Sequence, residues 1–246
     1  MKLCIVIPAH NEQERIRRTV VTYHQFFSGI CEQDGTEFEL LVVLNGCTDG
    51  TFVVVEELAE QLESILIIER EQAGKGLAVR TGFANALERA NDLIGFVDAA
   101  MATAPEKFYD LVSAMKNHDG VIASRYAPGA VVVPPRPALK RWGSRIFYEP
   151  LVRLLFGLRY HDLQCGAKLF KHQVIETVTP HMTVNDWAFD VELLYLCKKY
   201  GFDIVEMPTT WHDQAGSKLN TLAGGVPMLW ELIKLRKRLA NGDRDR

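Results

Sequence analysis

Several features that define other protein classes are missing from this sequence. No run of apolar residues reaches the roughly 18 that a membrane-spanning helix needs. The first apolar run, residues 3–7, is broken by Pro8 and followed by polar residues, which is not typical of a secretory signal peptide. These absences predict a cytoplasmic chain, either free or peripheral on the cytoplasmic face of a membrane.

The sequence also has little that would form disulfides or bind zinc. Its five cysteines are scattered without a Cys-X-X-Cys pair, and its seven histidines lack the close spacing of zinc ligands. An odd number of cysteines without metal spacing is typical of reduced thiols, most of them packed in the interior. The sequence therefore predicts neither a disulfide framework nor a zinc site.

The low hydrophobicity and high net charge of disordered chains are absent as well. The 246 residues are 48% hydrophobic and 24% charged, with a net charge of −3. With 18 glycines and 10 prolines, the chain is not of low complexity. No linker divides it, so its length predicts one domain with a sizeable core.

The charge is unevenly distributed. Residues 125–171 hold nine Lys or Arg residues and two acidic residues, a net charge of +7, so the rest of the chain carries −10. A local basic block on an acidic body predicts a phosphate-bearing partner that is held in one place. It argues against nucleic acid as a partner, because nucleic-acid-binding domains are usually basic overall.

Apolar runs typical of buried parallel strands alternate with helical spacing in the first half. Strands are predicted at residues 3–7, 38–44, 65–68, 93–97, 121–123 and, later, 204–207; helices are predicted at 51–62, 76–90, 187–200 and 228–239. Strands separated by helices predict an α/β fold with a mostly parallel sheet flanked by helices. Ligands of such sheets bind at the carboxyl ends of the strands.

Polar segments follow the predicted strands at this edge. Asn11 either caps a helix or belongs to a binding turn, and Asn45 either belongs to a tight turn or hydrogen-bonds a nucleobase. Lys75, between two glycines at the start of a helix, suits an anion. Asp98 suits a ribose hydroxyl or a divalent metal, although one carboxylate is a poor cage for Mg²⁺ or Mn²⁺.

The second half holds one further candidate for chemistry. Asp190 lies between Phe189 and Val191, and this apolar setting would raise its pKa and suit a general base. An ion-paired structural carboxylate is an equally good interpretation. Residues 128–137 are predicted to form a proline-rich loop, and the basic amphipathic stretches 140–156 and 228–239 could lie against an anionic membrane.

Eight segments together resemble, in family order, the motifs of inverting family-two glycosyltransferases of the GT-A fold, a Rossmann-like fold. They are residues 6–12, 45–51, 74–80, 98–103, 123–125, 162–170, 187–194 and 216–218. The most discriminating are Gln-Cys-Gly-Ala-Lys-Leu-Phe at 164–170 and Trp-Ala-Phe-Asp-Val-Glu-Leu at 187–193. They resemble dolichyl-phosphate (polyprenyl-phosphate) β-glucosyltransferases, which implies transfer of a hexose, glucose, from a UDP-sugar to polyprenyl or dolichyl phosphate.

The resemblance also implies roles for particular parts of the chain. Residues 1–125 would form the nucleotide-sugar half, 126–225 the acceptor half, and 226–246 a basic C-terminal helix with a polar tail. The nucleotide-sugar residues would be Pro8, Ala9, Asn11, Glu12, Asn45, Lys75, Asp98 and Ala99. The acceptor or phosphate residues would be Arg125, Arg136, Arg141 and Lys168. Asp190 would be the base or an orienting carboxylate, and Asp98 a ligand of Mg²⁺ or Mn²⁺.

The sequence departs from the family pattern in ways that leave alternatives open. Ala100 stands where the family has a second Asp, so the metal is held by Asp98 and the diphosphate, or cations such as Lys75 and Arg125 replace it, or the protein is an impaired nucleotide-sugar binder. Milder changes are His10 for Tyr and Asn45 for Asp. The membrane helices of many relatives are missing, which leaves either peripheral docking or a soluble acceptor.

Overall fold

Strands and helices alternate along the chain, and seven of the strands form one sheet. The computed structural model describes residues 1–134, 148–212 and 225–242. Its strands are β1 Lys2–Ala9, β2 Glu37–Asn45, β3 Ile65–Arg70, β4 Leu93–Val97, β5 Gly120–Ser124, β6 Val131–Val133, β7 Ala167–Lys171, β8 Ile204–Pro208 and β9 Thr210–His212. Its α-helices are α1 Ile16–Asp34, α2 Thr51–Gln61, α3 Lys75–Glu88, α4 Pro105–Ala114, α5 Glu149–Phe156, α6 His172–Val178, α7 Phe189–Lys199 and α8 Gly225–Gly242.

The large sheet has the strand order β3-β2-β1-β4-β7-β5-β8, while β6 and β9 form a separate parallel pair. Within the large sheet only β7 is antiparallel to its neighbours, β4 and β5. The mostly parallel sheet predicted from the sequence is therefore confirmed. Because β7 comes from the second half of the chain and lies between two strands of the first half, both halves build one sheet.

Two apolar layers cover the two faces of this sheet. Along β1, Leu3, Ile5 and Ile7 point into one layer, and Cys4 and Val6 point into the other, as the two-residue period of a strand requires. Helices α1, α2 and α4 supply the first layer, whereas α3, α5, α6, α7 and α8 supply the second. Such a double-sided core holds the strand ends, and the loops that leave them, in fixed positions.

Most of the predicted elements are confirmed, with ends that differ by a few residues. All six predicted strands are present, and the helices predicted at 51–62, 76–90, 187–200 and 228–239 correspond to α2, α3, α7 and α8. The stretch 140–156 is seen in part as α5, and the rest of it lies outside the described residues. Among the helices of the described ranges, none has the length and apolarity needed to cross a membrane.

Two local predictions are wrong. Asn11 does not cap a helix: its φ is 53°, α1 begins only at Ile16, and the Asn11 Oδ1 atom instead accepts a hydrogen bond of 2.7 Å from the Thr48 backbone. Residues 128–137 are not a loop throughout, because Val131–Val133 forms β6 and pairs with β9. Three consecutive β-branched residues favour a strand, and this local signal outweighed the surrounding prolines.

Candidate functional site

The carboxyl ends of the parallel strands bring the predicted polar segments together. Ala9 ends β1, Asn45 ends β2, Asp98 follows β4 and Arg125 follows β5. The antiparallel β7 begins at the same edge, since its first residue, Ala167, pairs with the last residue of β4. One edge of the sheet therefore collects candidate residues from both halves of the chain.

Asn45 ties three loops of this edge to one another. Its side-chain nitrogen donates to the Ala9 carbonyl at 2.8 Å, and its side-chain oxygen accepts from the Gly74 N–H at 3.1 Å. The ring of His10 lies 2.7 Å from the Asn45 backbone carbonyl. The Asn45 amide is buried, and both its nitrogen and its oxygen are hydrogen-bonded to backbone groups, those of Ala9 and Gly74. Its contact with a nucleobase therefore stays a prediction.

The loop after β1 is fastened to the start of α2. The Glu12 N–H donates to the Thr51 hydroxyl at 2.8 Å, and the Glu12 carboxylate lies 2.7 Å from the guanidinium of Arg15. The Pro8 and Ala9 side chains are buried at the strand end beside this loop. These contacts fix a partly enclosed backbone turn at the place where the resemblance predicts the nucleoside.

An ion pair between Lys75 and Asp98 occupies the centre of the edge. The ammonium nitrogen lies 2.6 Å from one carboxylate oxygen, and the side chains are 12% and 27% exposed. The ring of Trp187, which is 39% exposed, lies 4.9 Å from the same nitrogen. Burial by itself lowers the pKa of Lys75, but the carboxylates of Asp98 and Asp190 outweigh it and raise that pKa. Lys75 is therefore a fixed, fully charged cation.

Gly166 makes a close approach to Asp98 that no other residue type allows. The Asp98 N–H donates to the Gly166 carbonyl at 3.0 Å, and a Cβ atom at Gly166 would lie 1.9 Å from an Asp98 carboxylate oxygen. A side chain at this position would push the carboxylate off Lys75. The glycine of the segment 164–170 therefore has a structural reason to be there.

Beneath this pair lies a second, fully buried one. The Lys168 ammonium donates to Asp190 at 2.6 Å and to the Cys165 carbonyl at 2.7 Å, and neither side chain is open to solvent. As predicted, burial raises the pKa of Asp190, because desolvation outweighs the attraction of Lys168 and Lys75. The predicted contact of Lys168 with an acceptor, and the predicted chemistry of Asp190, stay predictions, since each side chain is paired with the other.

A third ion pair, also buried, joins the end of β5 to the segment before β7. The Arg125 guanidinium donates twice to Asp162, at 2.6 and 2.7 Å, and lies 5.0 Å from the ring of Trp211. Burial opposes both charges, but their mutual attraction and hydrogen bonds lower the pKa of Asp162 and raise that of Arg125. Arg125, predicted to bind phosphate, is thus neutralised by a carboxylate of the same chain.

The loop after Asp98 is anchored to α1 through its backbone. The Thr19 hydroxyl donates to the Ala99 carbonyl at 2.7 Å, and the Tyr23 hydroxyl donates to that of Thr103 at 2.8 Å. Ala100 lies between these anchors and supplies no ligand. Within residues 1–134, 148–212 and 225–242, no group of three or more His, Cys, Asp or Glu side chains is arranged to hold a metal ion.

The structure thus brings most of the predicted site residues to one edge. Arg136, Arg141 and the segment 216–218 lie outside the described residues. Trp187 was not predicted as a site residue, although it opens the segment 187–193. Its signal was an aromatic residue immediately before a helix at the sheet edge, and only the fold shows that it lies against Lys75.

Comparison with known proteins places the chain among the glycosyltransferases and its fold among those of the GT-A type. Residues 4–179 match the family described as "Glycosyl transferase family 2", and the chain therefore belongs to that family. The resemblance to family-two glycosyltransferases is confirmed by this match, which covers six of the eight segments.

Curated relatives agree with the family over most of this chain. A dolichyl-phosphate β-glucosyltransferase of Dictyostelium discoideum is 28% identical over 253 residues, which cover 98% of this chain and 75% of that protein. Glycosyltransferase AglD of Haloferax volcanii is 28% identical over 241 residues, 95% of this chain but 37% of that protein. The chain therefore spans about a third to three quarters of the length of these relatives.

Solved structures share the fold. Glucosyl-3-phosphoglycerate synthase from Mycobacterium tuberculosis, in complex with Mn²⁺, UDP and phosphoglyceric acid, superposes with a TM-score of 0.69. The match covers 96% of this chain and 78% of that one, at 17% sequence identity. At this identity the likeness establishes the GT-A fold, which the sequence predicted.

Replacing Asp162 with Asn should destabilise the protein in a pH-dependent way. The change leaves the buried guanidinium of Arg125 without a counter-charge, which costs about 3 kcal/mol at neutral pH. Because the folded pKa of Asp162 is lowered, its contribution is complete above the unfolded value of about 3.9 and is lost as the pH falls through the folded value. Urea unfolding at pH 7 and pH 3 measures this.

The matched control is Asp110→Asn, whose carboxylate pairs with Lys107 at the surface. That change should alter stability by less than about 0.5 kcal/mol. A cost of Asp162→Asn that equals the control, or that is the same at both pH values, would contradict this account of the pair.

Proposed function

We propose that the protein transfers a hexose, glucose, from a UDP-sugar to polyprenyl or dolichyl phosphate, with inversion at the anomeric carbon. The observation that carries this proposal is the Lys75–Asp98 pair at the carboxyl edge of the sheet. Support comes from membership of family 2 and from relatives named as dolichyl-phosphate β-glucosyltransferases. The donor and the acceptor are both inferred in this way.

The geometry suggests how the donor lies on the edge. The loops after β1 and β2, joined through Asn45, form the turn that receives the uridine, with Pro8, Ala9, Asn11 and Glu12 around it. Asp98 and the backbone of Ala99 face the ribose, and the Lys75 ammonium faces the diphosphate. A fixed cation at this point stabilises the charge that develops on the departing UDP.

The acceptor supplies its own nucleophile. An oxygen of the lipid phosphate attacks the anomeric carbon, the bond from that carbon to the UDP oxygen breaks, and UDP leaves with the electron pair. Because the phosphate is already anionic, it needs positioning and relief of charge repulsion more than it needs a base. Of the basic residues predicted for this task, Arg125 and Lys168 are paired with Asp162 and Asp190, and the task falls to Arg136 and Arg141, which lie outside the described residues.

Asp190 then acts as an orienting carboxylate. It holds Lys168 directly and attracts Lys75 through space, so it fixes two cations beside the place where phosphates meet. This role agrees with its burial, which keeps it from reaching solvent. A small displacement of groups near a reacting centre is enough to slow a transfer reaction strongly.

A membrane contact would bring the lipid acceptor to this site. On α5, Leu154 is 82% exposed, and Arg153 and Arg159 lie beside it around an open groove of about 860 Å³. The C-terminal helix α8, which packs against α5, buries Leu232 in the core and exposes Trp230. This surface combines apolar and basic groups, which suits the cytoplasmic face of an anionic membrane.

The transfer reaction itself is the direct test. Incubation with radiolabelled UDP-glucose and polyprenyl phosphate should place label in the lipid extract, and Asp98→Ala should abolish that label. Asp110→Asn serves as the control variant with full activity. Label that appears only in a water-soluble phosphate acceptor would favour the soluble-acceptor alternative. Absence of transfer from every nucleotide sugar would contradict the proposal.

Paired substitutions separate the orienting role of Asp190 from simple charge balance. Asp190→Asn should lower both stability and kcat, because it leaves Lys168 buried without a counter-charge. Adding Lys168→Met should restore much of the stability, but kcat should remain about 100-fold below wild type. Thermal unfolding and steady-state kinetics measure the two effects. If the double variant recovers kcat together with stability, Asp190 acts only as the counter-ion of Lys168.

Vesicle flotation tests the membrane contact. The protein should float with phosphatidylglycerol-containing vesicles at moderate salt. Leu154→Glu should reduce binding about tenfold, because it removes a leucine side chain that the membrane would otherwise bury. Val53→Glu is the control, because Val53 is also exposed but lies on α2, against the opposite face of the sheet. Equal loss in both variants, or no flotation of wild type, would contradict a contact through α5.

A further inference from the structure

The carboxylate expected to bind a metal is already engaged by another group of this chain. Solved relatives of this fold hold Mn²⁺ together with UDP. In this chain one oxygen of Asp98 lies 2.6 Å from Lys75, and the other lies close to Gly166, where a Cβ atom would come within 1.9 Å of it. The next candidate ligand position is Ala100, which offers no oxygen atom in its side chain. These residues do not fit a divalent cation, which prefers several oxygen ligands.

Electrostatics adds to this misfit. A Mg²⁺ ion at about 2.1 Å from the Asp98 oxygen would lie within about 5 Å of the Lys75 ammonium. Two cations this close repel each other, and partial burial strengthens the repulsion. Because the nearby carboxylate of Asp190 is already paired with Lys168, Asp98 is left to offset the three positive charges of the ammonium and the metal ion.

The Lys75 ammonium lies at a position from which a cation can contact an anionic ligand. It is the first residue of α3, where the helix dipole disfavours a cation and favours an anion. The rings of Phe96, Phe189 and Trp187 surround its ammonium at 5.8, 5.8 and 4.9 Å. The aromatic rings and Asp98 hold the ammonium in place. The positive end of the helix dipole adds a partial positive charge beside it. Beyond the neutral Lys75–Asp98 pair, the helix N-terminus therefore leaves a partial positive charge at the site, which favours an anionic ligand.

We propose that Lys75 takes the place of the divalent metal: its ammonium binds the diphosphate of the nucleotide directly, and UDP binding needs no divalent cation. Asp98 is then a positioning residue, which holds the ammonium toward the diphosphate. The inference rests on the proposed function for the identity of the nucleotide. It concerns the cation alone, so it can fail while the proposed function stands.

Calorimetric titration with UDP tests the inference. Wild-type protein should bind UDP with the same affinity, within about twofold, in a chelating buffer and in Mn²⁺. Lys75→Met should weaken binding about tenfold or more in both buffers, since it removes a charge-assisted hydrogen bond. Lys107→Met, at an exposed lysine paired with Asp110, is the matched control and should bind as wild type does. Thermal unfolding checks that each variant is folded.

A double variant provides a readout that loss of folding cannot imitate. Lys75→Met with Ala100→Asp removes the ammonium and adds the missing carboxylate, so UDP binding should return only when Mn²⁺ is present. Wild-type binding that requires Mn²⁺, or unchanged binding by Lys75→Met, would overturn the inference and leave the proposed function intact. If the wild-type protein binds no UDP in the chelating buffer and none in Mn²⁺, both the inference and the proposed function are overturned.

Discussion

The ion pair between Lys75 and Asp98 is the interaction on which the site depends. It joins the first turn of α3 to the end of β4, and Gly166 and Trp187 bring the start of β7 and the turn before α7 against the same two side chains. A cation at a helix N-terminus is unfavourable without negative charge nearby. The ammonium and the carboxylate balance each other, so the positive end of α3 leaves a partial positive charge at the site that favours a diphosphate.

Two further buried pairs, Lys168–Asp190 and Arg125–Asp162, support the first. Buried ion pairs add little net stability, because desolvation offsets much of their attraction, but the loss of one partner is costly. Their value here is positional, since each joins a segment of the second half to a neighbouring strand or loop. The basic block of residues 125–171 is consequently less available to phosphate than its net charge suggests, because three of its cations are already paired.

The sequence was sufficient to predict the sheet, the edge at which its polar segments meet and most of the residues at that edge. Apolar runs followed by polar turns determine where strands end, and parallel strands bring those ends together. The partners of Arg125 and Lys168 were not predictable, because they depend on β7 entering the sheet antiparallel between β4 and β5. For the same reason Trp187 was missed. Asn11 was misjudged because an Asn side chain caps a helix or bridges two loops with the same chemistry.

The most direct test of the account is a crystal structure of the protein grown with UDP in a metal-free buffer. The account predicts the uridine in the turn formed by the loops after β1 and β2, with a diphosphate oxygen within about 3.2 Å of the Lys75 nitrogen. UDP bound away from this edge, or bound here with its diphosphate out of reach of Lys75, would contradict it.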